Sequence, residues 1–164
     1  VHAPHSLPEF RRSTVDGYAV RAAETHGASE SMPAYSSLRG EVPMGEDSEI
    51  SLGEGECALI HTGGMLPENA DAVVMLEYAQ KVHTALAGAS GAEVEFYRPV
   101  AAGENVIQIG EDVKAGQLIM AKGVRVRPAE IGCALALGIT EMRVAKHPGV
   151  GIISSGFTAS LANC

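Results

Sequence analysis

Short apolar runs, separated by glycine and polar residues, dominate the first two thirds of the chain. The run 72–76 (AVVML) is continuous and is bounded by acidic residues, a pattern that is typical of a buried strand. Runs over 94–100, 106–109 and 118–120 are similar, and links of hairpin length join them. The pattern therefore predicts a mainly β structure.

Glycine marks the expected chain reversals. The Asp16-Gly17 pair predicts a tight turn with positive φ that leads into a strand. Between positions 38 and 67, six glycines punctuate short apolar pieces, and the stretch 41–56 carries six acidic residues and no basic one. We interpret this acidic stretch as the solvent-exposed face of a hairpin.

One helix and two further strands are expected toward the C-terminus. Residues 128–137 begin with proline, carry Glu130 near the start and are followed by Gly138, the usual signals that begin and end a helix. Residues 140–144 alternate like a strand, and 149–156 (GVGIISSG) predicts a buried strand followed by a tight turn. The expected fold class is mainly β with one or two short helices.

Composition agrees with a soluble globular protein whose core is built from small aliphatic side chains. Of 164 residues, 46% are hydrophobic, 20% are charged and 19 are glycine, and tryptophan is absent. The longest apolar run, 131–139, has half the ~18 residues that span a bilayer, and the first ten residues lack the pattern of a secretory signal. Three cysteines without close spacing suit a reducing compartment, so we expect a cytoplasmic protein that does not bind membrane.

Charge is distributed unevenly along the chain. Residues 1–113 contain six basic residues (Lys and Arg) and eighteen acidic residues (Asp and Glu). Residues 114–146 contain six basic and two acidic residues, and the last eighteen residues contain no charged residue. We expect these stretches to be different structural units. The net charge of −8 opposes binding to nucleic acid or to an anionic membrane.

Several common catalytic and metal-binding motifs are absent from the sequence. The six histidines are dispersed, without HxxxH or HxH spacing, so no zinc site is predicted. Neither a GxSxG elbow nor a GxxxxGK[ST] loop occurs. The segment 110–119 (GEDVKAGQLI) looks like the hairpin of biotinyl and lipoyl carrier domains, but none of the four lysines has the setting of a carrier lysine.

Three small polar side chains lie within two positions of a glycine, where the backbone can approach a ligand closely. Asp16 lies in SxxDGYA, Thr62 in IHTGGMLPENADAVV and Asp112 in GEDV. Carboxylates suit a hard divalent cation, and a threonine beside two glycines can position an oxyanion with its hydroxyl and backbone N–H groups. Each cluster is also compatible with a plain turn, and the residues alone leave both interpretations open.

The order of these motifs resembles the N-terminal region of the molybdopterin molybdenumtransferase family, the MoeA and gephyrin E-domain proteins. SxxDGYA, TGxxLPxxADAVVxxE and GEDVxxG follow one another as they do in that family. The similar pieces cover most of residues 7–147, namely LPEFRRSTVDGYAVRA, RGEVPMG, IHTGGMLPENADAVVMLE, NVIQIGEDVKAGQLIMAKG and IGCALALGITEMRV.

The resemblance implies a fold and an activity. A glycine-rich, β-barrel-like domain over 8–109 would be inserted in an elongated α+β stalk formed by 1–7 and 110–147, and 148–164 would be the first strand and a divergent remnant of a missing α/β domain. Family members are cytoplasmic homodimeric enzymes of molybdenum cofactor biosynthesis. With Mg²⁺ they insert the metal of molybdate into adenylylated molybdopterin and release AMP, acting on small-molecule substrates.

The resemblance also implies site residues. Asp16, Thr62 and Asp112 match motif positions that line the family's catalytic cleft, and Asp16 and Asp112 are the expected Mg²⁺ ligands. The positions implied for cofactor binding are Ser13, Gly17, Gly63 and Gly64.

Departures from the family's sequence near the C-terminus bear on whether these 164 residues form an enzyme by themselves. The family continues as S-T-G-D-E-L, with an active-site Glu, whereas Phe157, Thr158 and Ala159 follow the matching glycine here. We therefore expect this chain to be the N-terminal part of a molybdotransferase that is inactive by itself. The alternative is a non-catalytic module that keeps the fold for dimerisation or for binding a partner.

Overall fold

The computed structural model describes residues 1–83 and 92–153. Strands dominate these residues, and the described part of the chain contains one α-helix, so the predicted mainly β fold class is confirmed. The strands are β1 (Arg12–Ser13), β2 (Gly17–Val20), β3 (Ala34–Glu41), β4 (Glu56–Ile60), β5 (Ala72–Met75), β6 (Ala79–His83), β7 (Ala92–Phe96) and β8 (Val106–Ile107). The helix α1 spans Pro128–Ala136, and short 3₁₀ helices span Ala22–Thr25 and Leu76–Tyr78.

Six strands form the main sheet, in the order β5-β2-β4-β3-β7-β6, while β1 and β8 pair separately. The sheet curls into a half-barrel. All its pairs are antiparallel except β3 with β4, which run parallel. The hairpin predicted over 41–56 is therefore wrong, because parallel neighbours need a crossover rather than a tight turn. The crossover buries Val42 and Leu52. Their burial is not evident from the sequence, because acidic residues surround them.

Apolar side chains cover both faces of three neighbouring strands of the main sheet. Successive residues of a strand point to opposite faces, so β2, β4 and β5 each contribute to two separate clusters. This burial on both faces explains why their sequences are continuous apolar runs rather than alternating ones. The first cluster contains Tyr18, Val20, Ala22, Cys57, Ala72, Val74, Val94, Phe96 and Val100. The second contains Ala19, Val42, Leu52, Ala58, Ile60, Leu66, Ala70, Val73 and Val106.

Gly17 begins β2 at a point where two neighbouring strands approach closely. It pairs with Ile60 of β4 on one side and Met75 of β5 on the other. A Cβ atom at Gly17 would lie 2.1 Å from the carbonyl oxygen of Val74. Gly17 does not adopt the positive φ that the sequence predicted. Glycine is required here because the backbone of β5 occupies the space that a side chain would need.

The segment after β8 carries the predicted helix but not the predicted strand at 140–144. Gly138 has φ +68°, which ends α1 as expected, and at the other end Arg127 lowers the pKa of Glu130 to about 2 by donating hydrogen bonds to it. Residues 140–144 form no strand because no described neighbour pairs with them, and Val144 is 69% exposed.

Two other predicted strands differ from the structure. Within 118–120, Leu118 makes one isolated bridge with His2. Residues 149–153 are exposed and form no strand, and the rest of the prediction over 149–156 lies outside the described residues. An apolar sequence becomes a strand only where a partner edge is available, and no described segment pairs with residues 149–153.

Two glycine-to-alanine substitutions test the role of Gly17. Gly17→Ala is expected to lower the free energy of unfolding by about 1–3 kcal/mol or more, because the new methyl group overlaps Val74. Gly132→Ala is the matched control, since it lies in the interior of α1 and its new methyl group would have nothing within 4 Å. This control should raise the free energy of unfolding by about 0.5–1 kcal/mol. Urea denaturation measures both, and equal effects of the two substitutions would contradict the packing argument.

Candidate functional site

Asp16 and Thr62, which lie 46 positions apart in the sequence, form a hydrogen-bonded pair. The backbone N–H of Thr62 donates to Asp16 Oδ1 at 2.7 Å, and the Thr62 hydroxyl donates to the same oxygen at 3.0 Å. The side chain of Asp16 is 56% exposed, so it is accessible to a ligand. The hydrogen bonds described for this carboxylate all go to Oδ1.

Strand register brings this pair together. Gly17 of β2 lies opposite Ile60 of β4 in an antiparallel ladder. Extending the ladder by one residue places Asp16 beside His61 and next to Thr62. The position of the pair therefore follows from the buried apolar pairing of the two strands.

The hydrogen bonds from Thr62 change the acidity of Asp16. The backbone N–H of Thr62, its hydroxyl and the nearby His61 together lower the pKa of Asp16, against a smaller opposing effect of desolvation. Because the pKa is lower in the folded protein, these bonds stabilise the fold above the usual titration range of a carboxyl group. The contribution is lost as the pH falls through the lowered pKa.

The turn after Thr62 uses its backbone donors within the protein. Gly63, at φ +84°, donates its N–H to the carbonyl oxygen of Ser13 at 2.8 Å, and Gly64 donates to His61 at 2.8 Å. The Thr62 N–H is taken by Asp16. The backbone N–H groups of residues 62–64 are therefore all hydrogen-bonded within the protein, and the exposed carboxylate of Asp16 is the charged group of this turn.

Ser13 links the segment before β2 to the 62–64 turn through hydrogen bonds. Its side chain is 1% exposed, and its hydroxyl donates to the carbonyl oxygen of Val15. Its backbone bonds to both Gly63 and Gly64. Ser13 thus holds the 62–64 turn, and its buried hydroxyl is hydrogen-bonded within the protein.

Asp112 lies at a separate concave surface. A cavity of about 630 Å³ lies between the segment 5–12 and the C-terminal end of α1, and Asp112 and Arg12 both line it. Asp112 Oδ2 is 4.0 Å from Arg12 Nη2. No hydrogen bond or ion pair within 1–83 and 92–153 joins Asp112 to Asp16 or Thr62, although Arg12 precedes Ser13 in the same strand.

Two charged or polar side chains of this region were not predicted from the sequence. His61 Nε2 is 2.9 Å from Glu41 Oε1, and His61 Nδ1 is 3.8 Å from Asp16 Oδ1. Glu41 ends β3, twenty positions before His61. Only the register of three strands reveals this arrangement, since no local spacing in the sequence marks it.

Metal-binding groups in the described residues are sparse. They contain no cluster of three or more His, Cys, Asp or Glu side chains that could hold a metal ion. Mg²⁺, however, is commonly held by one or two carboxylates together with water and substrate phosphates. The exposed carboxylate of Asp16 suits that mode of binding, and the exposed carboxylate of Asp112 does so at its own surface.

Two further features, the buried thiol of Cys57 and the length of the helices, bear on what the chain can do. Burial raises the pKa of Cys57 to about 12, so this thiol is not a nucleophile at neutral pH. None of the helices in the described ranges is long and apolar enough to cross a membrane.

Comparison with known protein families shows which family this chain matches. The family model described as "MoeA N-terminal region (domain I and II)" matches residues 1–138. The chain belongs to this family. The resemblance to the N-terminal region of this family, inferred from the sequence motifs, is thereby confirmed.

Relatives in bacteria and archaea support this membership. A molybdopterin biosynthesis protein of Methanocaldococcus jannaschii is 39% identical over 156 residues, and the molybdopterin molybdenumtransferase of Bacillus subtilis is 35% identical over 156 residues. Each match covers 95% of this chain and 35% of the relative. The chain therefore spans about a third of the length of these relatives.

Solved structures of the family share the fold. A molybdopterin biosynthesis MoeA protein from Pyrococcus horikoshii superposes with a TM-score of 0.76 at 40% identity, covering 85% of this chain and 34% of the other. A second structure from Pyrococcus horikoshii OT3 gives a TM-score of 0.75 at 34% identity. The fold described above is thus that of the N-terminal part of MoeA proteins.

Removing the hydroxyl of Thr62 tests the origin of the Asp16 acidity. Thr62→Val keeps the backbone N–H bond and removes the hydroxyl bond, so the pKa of Asp16 should rise part of the way toward its usual value. Thr62→Ser, which keeps a hydroxyl, should leave it nearly unchanged. The ¹³C shift of the Asp16 carboxyl group, followed by NMR against pH, measures this pKa, and an unchanged midpoint in Thr62→Val would contradict the assignment.

Proposed function

We propose that this chain is the N-terminal part of a molybdopterin molybdotransferase and that it contributes acidic and hydroxyl groups to the catalytic cleft. The substrates would be molybdate and adenylylated molybdopterin, and the products would be the metal-loaded cofactor and AMP. Asp16, Thr62 and Asp112 would line the cleft, and the residues that shape it would be Ser13, Gly17, Gly63 and Gly64.

The observation that carries the proposal is the Asp16–Thr62 pair. Its two hydrogen bonds hold one carboxylate oxygen in place and keep the group ionised. A fixed, exposed carboxylate suits the metal-assisted cleavage of a phosphoanhydride, since a divalent cation can neutralise the charge that develops on the phosphate oxygens. Asp16 would hold Mg²⁺ together with water and substrate oxygens, and Asp112 would offer a second carboxylate at its own surface of the cleft.

The proposal assigns different tasks to different parts of the chain. Residues 8–109 would form the barrel-like domain, with 1–7 and 110–147 as the stalk, and 148–164 would begin an α/β domain. The cleft would be completed by an α/β domain, and the assembled protein would be a cytoplasmic homodimer. Helix α1 provides an observation in favour of a dimer. Ile131 and Leu135 lie one turn apart and are 45% and 57% exposed, so they form an apolar surface that a second copy of the chain could cover.

A chimeric enzyme tests the proposed function. Residues 1–138 of this chain, which match the family model, would replace the corresponding region of the Bacillus subtilis transferase. The chimera is expected to insert molybdenum into adenylylated molybdopterin and to release AMP. Asp16→Asn should lower kcat about 10- to 100-fold, because a charge-assisted interaction contributes about 1.5–3 kcal/mol.

The control for that experiment removes a charge elsewhere. Glu46 is an exposed acid of the crossover, and Glu46→Gln should leave AMP release unchanged. A chimera that folds, as judged by circular dichroism, and that is unaffected by Asp16→Asn would overturn the assignment of Asp16.

The 164-residue chain by itself is expected to be inactive. Its first 113 residues carry eighteen acidic against six basic side chains, so they repel a polyanionic substrate. Titration calorimetry with adenylylated molybdopterin and Mg²⁺ should give a Kd weaker than about 1 μM, an affinity that corresponds to about −8 kcal/mol. Tighter binding, or AMP release after molybdate is added, would mean that the chain holds a complete site.

The exposed apolar face of α1 fits a non-catalytic dimerisation module as well as it fits the transferase. A module that keeps the fold for dimerisation alone should form a dimer and should be indifferent to Asp16→Asn in the chimera. Both functions predict a dimer in sedimentation, and Leu135→Lys should weaken it, since a charge would be buried at the interface. Met32→Lys, at a residue that is 67% exposed, is the control. A monomer at ~100 μM, far above the Kd of a stable interface, would contradict dimerisation through this face.

A further inference from the structure

A row of polar side chains lies at one end of three neighbouring strands of the main sheet. Asp16 immediately precedes β2, His61 immediately follows β4, and Glu41 is the last residue of β3. The antiparallel pair Gly17↔Ile60 places Asp16 beside His61. In the parallel pair, Glu41 lies opposite Leu59. His61 is two positions beyond Leu59 and therefore lies on the same face of the sheet as Glu41. The sheet topology therefore puts the imidazole between two carboxylates.

The contacts in this row are unequal. His61 Nε2 is 2.9 Å from Glu41 Oε1, a hydrogen-bond distance, whereas Nδ1 is 3.8 Å from Asp16 Oδ1. An ionised carboxylate only accepts hydrogen bonds, so Nε2 carries a hydrogen and donates it to Glu41. The ring is thus anchored on β3 and its other edge lies against Asp16. About a third of the His61 side chain is exposed, so solvent does not surround the ring fully.

The position of His61 in the chain couples this row to the candidate site. His61 immediately precedes Thr62, which donates two hydrogen bonds to Asp16 Oδ1. The His61 carbonyl oxygen also accepts the N–H of Gly64, which closes the turn. A ring held by Glu41 therefore restrains the peptide that carries Thr62 as well as the space available to the Asp16 side chain.

We infer that His61, anchored by Glu41, is a positioning residue that keeps the Asp16 carboxylate turned with Oδ1 toward Thr62 and Oδ2 toward the ligand. The inference rests on the proposed function in one respect, that Asp16 faces the ligand. The restraint on Asp16 is a property of this chain and can be measured without any substrate.

NMR on the chain itself tests the restraint. His61→Phe keeps a ring and removes both nitrogens, and Glu41→Ala removes the anchor. Each is expected to change Asp16 from one dominant χ1 rotamer to an averaged set, and to make amide exchange at Thr62 about tenfold faster, as for the loss of a hydrogen bond. His61→Gln, which keeps an N–H donor for Glu41, should restore most of the wild-type behaviour.

The controls separate positioning from a loss of stability. His26 and Glu46 are exposed, so His26→Phe and Glu46→Ala should leave the Asp16 rotamer and Thr62 exchange unchanged. The His61→Phe/Glu41→Ala double variant should behave like either single variant, because both break the same restraint. Unchanged Asp16 couplings in His61→Phe would overturn the inference, as would exchange that increases equally at Val94 of β7, which pairs with Ser36 toward the opposite end of β3 from Glu41.

The chimeric transferase separates failure of this inference from failure of the proposed function. In that enzyme His61→Phe should lower kcat about tenfold with little change in KM, and His61→Gln should recover it, since orientation of Asp16 is expected to act on the reacting complex. A chimera that is inactivated by Asp16→Asn but indifferent to His61→Phe would overturn the inference alone. A chimera indifferent to Asp16→Asn would instead remove the proposed function, and the NMR result would still decide whether His61 orients the carboxylate.

Discussion

The antiparallel pairing of β2 with β4 is the interaction on which the rest of the structure depends. Both strands lie inside the main sheet, and side chains on both of their faces are buried. The pairing requires glycine at position 17, where the backbone of β5 leaves no space for a side chain. A shift of one residue would exchange the two apolar faces and would also separate Asp16 from Thr62. Core packing and the geometry of the site are therefore determined together.

The two acidic residues assigned to the site are held in different ways. Asp16 is fixed by two short hydrogen bonds from Thr62, which also favour its ionised form. Asp112 has a cation, Arg12, at 4.0 Å, in an exposed pair that contributes little to stability. Because the nearby backbone donors are used within the protein, this surface favours a cation over a free anion.

Much of the secondary structure could be predicted from local patterns. The helix α1, its end at Gly138 and the buried strand β5 follow from proline, glycine and continuous apolar runs. The strand β6 was missed because AQKVH has neither a clear alternation nor a continuous apolar run. It forms because β7 offers an edge with which it pairs over five residues. The parallel crossover between β3 and β4 was also missed, since its buried residues stand among acidic ones.

The sequence by itself determined the family, the mainly β fold class and the identity of the polar residues beside glycine, because motifs and turn residues act over short distances along the chain. Tertiary structure decided which of those residues meet. Asp16 and Thr62 are joined, whereas no hydrogen bond or ion pair in the described chain links Asp112 to them. Only the structure placed His61 between Asp16 and Glu41. These contacts depend on the register of three strands, and register is set by the packing of both faces of the sheet rather than by local sequence.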